Sequence, residues 1–362
     1  MTSYNSFYNG IAPSKHIQTG FDNLANCDVH SDIGSVTGQT TLIDDVTAGP
    51  TENCIQCTAP SGNVYFFSST SGKIWSRTID GIYHVITANA DTTGHRGCQW
   101  YNGYVRYWTR YKLGKFIADT EASRNDAFGT FANGLALGAC EENQVLFIAD
   151  GKYVASINSS ETFNPNALDI PSQYYGTSLI PDGLTNILIG TMVGTKIQHC
   201  AAFLWDTYSD SFTLADIVPE TGVNCFINCD DLILAMCGTT GKIYQWTGST
   251  LAIWDNEIRG QVTSTNVQMA TIYRSRPLIA IGTNIYSIYR KNATMPRALV
   301  HEYTAFGVID SIGVTGDTLV VCAGLGINLS GTDKAVATID TPESDGKYNN
   351  VVVDYKSYPQ GI

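Results

Sequence analysis

Charge is scarce in this 362-residue chain: Asp, Glu, Lys and Arg together make up 15% of it, against about 25% in ordinary soluble domains. Long surface helices carry many Glu and Lys, so this scarcity argues against a helical architecture. Basic clusters are missing as well. The net charge is −12, and no Lys/Arg run exceeds the scattered Arg274-Ser275-Arg276. Phosphate recognition needs a concentrated basic face, because released counterions supply much of the affinity. Nucleic acid is therefore not an expected partner. No apolar stretch approaches the roughly 18 residues of a membrane span, so no membrane insertion is expected. The opening MTSYNSFYNGIAPSKHIQTG holds no apolar run of signal-peptide length, and the expectation is a chain made in the cytoplasm.

Motifs that carry chemistry are equally sparse. His16, His30, His84, His95, His199 and His301 stand apart, without an H-x-H or H-E-x-x-H spacing, so no metal site and no Ser-His-Asp triad can be nominated. No Gly-rich phosphate loop precedes a helical pattern, and no cofactor is expected. The ten cysteines are spread through the chain and, with no secretory signal, are expected to be reduced core residues. Cys54 and Cys57 form a C-x-x-C, but no second pair follows at zinc-ribbon distance, and in a strand positions three apart face opposite ways. Cys225 and Cys229 could share a strand face and neighbour Cys237 across a hairpin, where packing is the expected role.

What is present is a recurrence. Gly-Lys introduces an apolar or aromatic strand four times, in SSTSGKIWSR (68 to 77), LGKFIAD (113 to 119), DGKYVAS (150 to 156) and TGKIYQW (240 to 246). A strand-like run precedes each, as in NVYFF and NQVLFIAD, so these read as β-hairpins. A leading strand comes before each hairpin and a further one follows most of them. Leading strands expected near residues 54, 97, 136, 176, 222, 266 and 307 recur about every 40 residues, the length of a four-stranded propeller blade. The expected fold is all-β: a β-propeller of seven blades, each of four antiparallel strands, with six or eight also compatible because 185 to 210 fits the pattern most loosely. Lys at each hairpin end is expected to stay in water. Residues 1 to 20 read as an extended N-terminal arm and 21 to 362 as one propeller domain. The segment 32 to 45 is expected to add a closing strand to the last blade, since an open ring leaves unpaired edges.

One stretch invites a binding reading. In YNGYVRYWTRYK (101 to 112), strand geometry places Tyr104, Arg106, Trp108 and Arg110 on one face, where aromatic and guanidinium groups could stack on sugars or on a partner protein. The same ladder would also pack well between blades. Asp182, Glu220, Asp230 and Asp231 sit at turns and could supply a carboxylate pair from different blades, but solvated turn charges are commoner. The Trp-Asp pairs at 205 and 254 lack the Gly-His partner of WD40 blades. No catalytic residue is nominated.

The segments GFDNLANCDVHSDIGSVT and SGNVYFFSSTSGKIWSRT, with GCQWYNGYVRYWTRYKLGKFIAD after them, resemble predicted propeller proteins encoded beside structural genes in tailed bacteriophages. The likeness rests on Cys27 to Gly34 and on the SSTSGKIW run, covers the first third specifically, and extends further only through the blade pattern. It implies a non-enzymatic structural protein of the virion, docked on tail or capsid. It further implies other virion proteins as partners, in a symmetric or homo-oligomeric assembly, with host-surface glycan as a further contact. A lectin-like receptor reader and a glycan-cleaving propeller are the alternative readings.

Overall fold

The computed structural model describes residues 27–28, 37–38, 50, 52–78, 82–86, 93–183, 185–193, 199–229, 232–238, 241–255, 268–273, 276–288, 297–302, 308–315, 318–324, 334–340 and 352–355. They fold as an all-β propeller whose blades are sheets of four antiparallel strands joined in sequence order. The first sheet pairs Cys54–Thr58, Val64–Ser68, Ile74–Arg77 and Tyr83–Ile86 in succession. The second pairs His95–Tyr101, Tyr104–Thr109, Lys112–Ile117 and Asn125–Thr130. Seven such sheets follow one another along the chain, their leading strands beginning at Cys54, His95, Ala136, Tyr174, Val223, Ala270 and Ile309. Each start lies within four residues of the position expected from the repeat.

Leading strands of consecutive sheets touch, and that of the seventh sheet touches that of the first. Apolar clusters fill the seams between sheets. Ile55, Tyr65 and Phe67 of the first sheet meet Val105, Tyr107 and Phe116 of the second, with the Phe67 and Tyr107 rings stacked 5.2 Å apart. Burial of rings of this size contributes about 1.5–3 kcal/mol each, so every seam holds part of the total. At the seam between the last and first sheets, Cys322 joins Cys54, Val64, Phe66 and Trp75, while Ser311 Oγ donates to the Cys54 carbonyl at 2.9 Å.

The expected closure by an N-terminal strand is corrected here. The seventh sheet draws its four strands from Ile309–Thr315, Thr318–Gly324, Lys334–Asp340 and Val352–Tyr355. Among the described residues no N-terminal strand joins it: Thr37–Gly38 pairs instead with Cys27–Asp28. Residues 37 and 38 are all of the segment 32–45 that is described; the arm at 1–20 and the loop at 194–198 lie outside the described residues. Side-chain packing of one sheet upon another meets the first-to-last contact, so no borrowed strand is needed there.

The Gly-Lys recurrence also divides in two. Gly151 and Gly241 occupy hairpin turns at φ +60° and +67°, a left-handed backbone that glycine adopts without steric cost, and Gly72 lies in the corresponding turn of the first sheet. Gly114, by contrast, lies inside the strand Lys112–Ile117, where the Tyr107 ring covers its Cα. Nor do the lysines simply stay wet. Lys73 pairs with Glu52 at 2.6 Å, Lys242 with Glu220 at 2.9 Å and Lys115 with Glu161 at 2.8 Å. Glu52 and Glu220 stand two and three residues ahead of leading strands, so each pair ties a blade entrance to its own hairpin.

Candidate functional site

The leading strands surround a central cavity of about 470 Å³. Its wall takes Cys57 from the first sheet, Cys98, Gln99 and Trp100 from the second, Phe226 from the fifth and Gln268 from just before the sixth. Small residues let the strands converge: a side chain at Gly138 would overlap the Thr177 carbonyl, and one at Gly97 the Trp108 indole.

Gln268 is the hub of this region. Its Oε1 accepts from the Gln56 amide at 2.7 Å, and its Nε2 donates to the Gln56 carbonyl at 2.7 Å and to Cys98 Sγ at 3.4 Å. Its own carbonyl accepts from the Ile312 amide at 2.9 Å. One residue therefore links the first and second sheets through its side chain and the seventh through its backbone, just ahead of the sixth. Nothing in the local sequence marks it, because its partners are more than two hundred residues away or belong to other sheets.

Among the described residues, the wall of the cavity carries no carboxylate, ammonium or imidazole. Burial pushes the Cys98 thiol well above its ordinary range and the Cys225 thiol up to about 12; such thiols stay protonated and are weak nucleophiles. Amides, thiols and aromatic rings suit a neutral ligand held by stacking and hydrogen bonds. Among the described residues, no group of three or more His, Cys, Asp or Glu is placed to hold a metal ion.

The face of Tyr104, Arg106, Trp108 and Arg110 lies against the third sheet. Trp108 is buried among Phe131, Leu146, Ile148 and Ala155, and its Nε1 donates to the Leu137 carbonyl at 2.8 Å. Arg106 is wholly buried and reaches Glu161 at 2.5 Å, with Tyr104 and Phe128 against its guanidinium. Only Arg110 is exposed, donating to the Gly134 carbonyl at 2.8 Å. The ladder thus packs against the third sheet, and Trp108 also borders the central cavity. Burial by itself would raise the Glu161 carboxyl, but hydrogen bonds from Arg106 and Lys115 outweigh it and hold the group below its ordinary range.

Turn carboxylates are engaged within the fold. Asp182 accepts from Trp246 Nε1 at 2.8 Å, and Glu220 accepts from the Tyr244 hydroxyl at 2.5 Å; Asp230 and Asp231 lie outside the described residues. Glu52 gathers the SSTSGK turn: it accepts from Ser68 and Ser71 at 2.5 Å each and from Thr70 at 3.2 Å, besides pairing with Lys73. Burial opposes its ionisation, yet Lys73 and the two serines prevail and bring the carboxyl down to about 2.

The cysteines show how faces are assigned. Cys54 and Cys57 point into different seams. Cys225 and Cys237 also part company, one packing toward the sixth sheet and the other toward the fourth. A bulge between Val223 and Cys225 shifts the register, which overturns the expectation that these two neighbour across the hairpin.

No protein-family model matches the chain, and no curated protein matches it. Solved propeller structures do. A puromycin hydrolase complexed with PGG superposes with a TM-score of 0.61 at 9% identity, over 89% of this chain and 56% of its own. Virginiamycin B lyase from Staphylococcus aureus gives 0.60 at 11%, over 76% and 93%. The extracellular domain of a hybrid two component system from B. thetaiotaomicron gives 0.59 at 11%, over 82% of this chain and 39% of that one. The chain thus spans well under two thirds of the first and third of these. At such identity the likeness shows the fold alone, shared by enzymes and by an extracellular domain.

Proposed function

We propose that this chain is a non-enzymatic docking protein of a tailed-phage particle: a disc in which the seven sheets act as seven blades and the ring closes by packing the seventh on the first. One observation carries the non-catalytic part. The side chains of Glu52, Glu161 and Glu220 each hold a lysine and neighbouring donors within the fold, while among the described residues the central cavity is walled by neutral groups. Charges committed to structural pairs are not poised for proton transfer.

The particle assignment rests on the resemblance of residues 27–34 and 61–78, and it fits the outer rim. There Leu214, Ile217 and Ile253 are at least half exposed on neighbouring outer strands, and the Leu251 amide donates across to Asp216 at 2.8 Å. Apolar side chains on blade edges suit contact with other particle proteins or further copies. Mass spectrometry of purified particles tests the reading: stoichiometric copies are expected, and absence of the chain from particles overturns it.

A lectin-like reading has its own support in Trp100, which is half-buried at the cavity wall beside Gln99. An indole next to an amide is a combination that sugars use for stacking and hydrogen bonding. A glycan array separates the two: wild-type signal that disappears in Trp100→Ala would add host-glycan contact to the docking role, and a blank array would remove it.

A further inference from the structure

Cys57 and Cys98 come from the leading strands of adjacent sheets and pack in the same seam, where burial, with the neighbouring Cys57 thiol, pushes the Cys98 thiol up. Both also line the central cavity, so this buried pair borders that space on one side. Cys225 lines the same cavity from the fifth sheet, whereas Cys140, Cys200 and Cys237 do not line it. Gln268 Nε2 lies 3.4 Å from Cys98 Sγ, an N–H dipole already aimed at one sulfur.

We propose that Cys57 and Cys98 form a two-thiol site, entered through the central cavity, for a soft d10 cation of the Cu(I) type. Soft thiolates select such ions over hard divalent ones, which need carboxylate, carbonyl or water oxygens. Structural zinc requires four N or S ligands, and among the described residues neither imidazole nor carboxylate lines this wall. Two sulfurs suffice for a linear bis-thiolate. Binding forms two metal–sulfur bonds and releases two thiol protons to the buffer; nothing is oxidised or reduced. The complex carries one net negative charge, which the Gln268 N–H faces.

The reduced full-length protein titrated anaerobically with Cu(I) against a chromophoric chelator tests the site. One equivalent is expected to be withdrawn from the chelator by wild type and by Cys140→Ser, and none by Cys57→Ser or Cys98→Ser. Because two protons leave, apparent affinity rises by about 100-fold per pH unit while both thiols are protonated. X-ray absorption of the copper-loaded wild type provides a readout independent of variant folding, with two sulfur neighbours expected. Three results would each overturn the proposal: no copper withdrawn by wild type, undiminished uptake by both serine variants, or a first shell of nitrogen and oxygen. A Cys57–Cys98 disulfide in protein purified under reducing conditions would do the same.

Discussion

Replacing Glu52 by Gln removes a charge while keeping the shape and the acceptor oxygen that the serines use. In the folded protein the carboxyl titrates at about 2, against 4.5 ordinarily. At 1.36 kcal/mol per unit, that displacement corresponds to about 3 kcal/mol of stabilisation at neutral pH. The Lys73 side chain is 50% exposed and that of Glu52 17%, so solvent screening reduces the expected contribution to about 1–2 kcal/mol. The folded value is depressed, which fixes the sign: the stabilisation is complete above about pH 4.5 and disappears as pH falls toward 2. Thermal unfolding of wild type and Glu52→Gln, followed from pH 7 downward, is expected to show a melting temperature about 2–4 °C lower for the variant at pH 7. The two curves should converge in acid. A difference that stays constant across the range, or its absence at pH 7, would refute the assignment of the SSTSGK turn to this carboxylate.

Further outcomes follow from packing. Gly97→Ala drives a methyl into the Trp108 indole, which its bond to Leu137 holds in place; a loss of about 1–3 kcal/mol in urea unfolding is expected, with altered near-ultraviolet dichroism. Trp108→Ala empties the seam between second and third sheets and should cost about 3–5 kcal/mol, whereas the half-buried Trp100→Ala should cost clearly less in the same assay. Glu161→Gln leaves Arg106 buried without its carboxylate, and a loss of about 3 kcal/mol is expected, one that Gly97-type repacking would not show as a salt dependence.

Much of the fold was legible in the residues because its signals are local. Apolar runs such as VYFF and VLFIA, bounded by turns, mark strands wherever they occur, and their spacing of about forty residues marks blades. The expected starts at 54 and 136 coincide with Cys54 and Ala136, and the others fall close by. The site was less legible. Period-two alternation placed Tyr104, Arg106, Trp108 and Arg110 on one side of a strand, but whether that side met water or another sheet depended on the third sheet. Glu52 and Glu220 left a faint signal, a carboxylate shortly before a leading strand, which only the return of a hairpin lysine turns into a pair.

By itself, then, the order of residues determined strands, hairpins, their period and the all-β class, since each depends on neighbours a few positions apart. Tertiary structure decided how first and last sheets meet, which sulfurs face each other and what surrounds the central space. Those depend on groups such as Cys54 and Ser311, or Gln56 and Gln268, which the chain separates by more than two hundred residues. Packing, not spacing, brings them within reach.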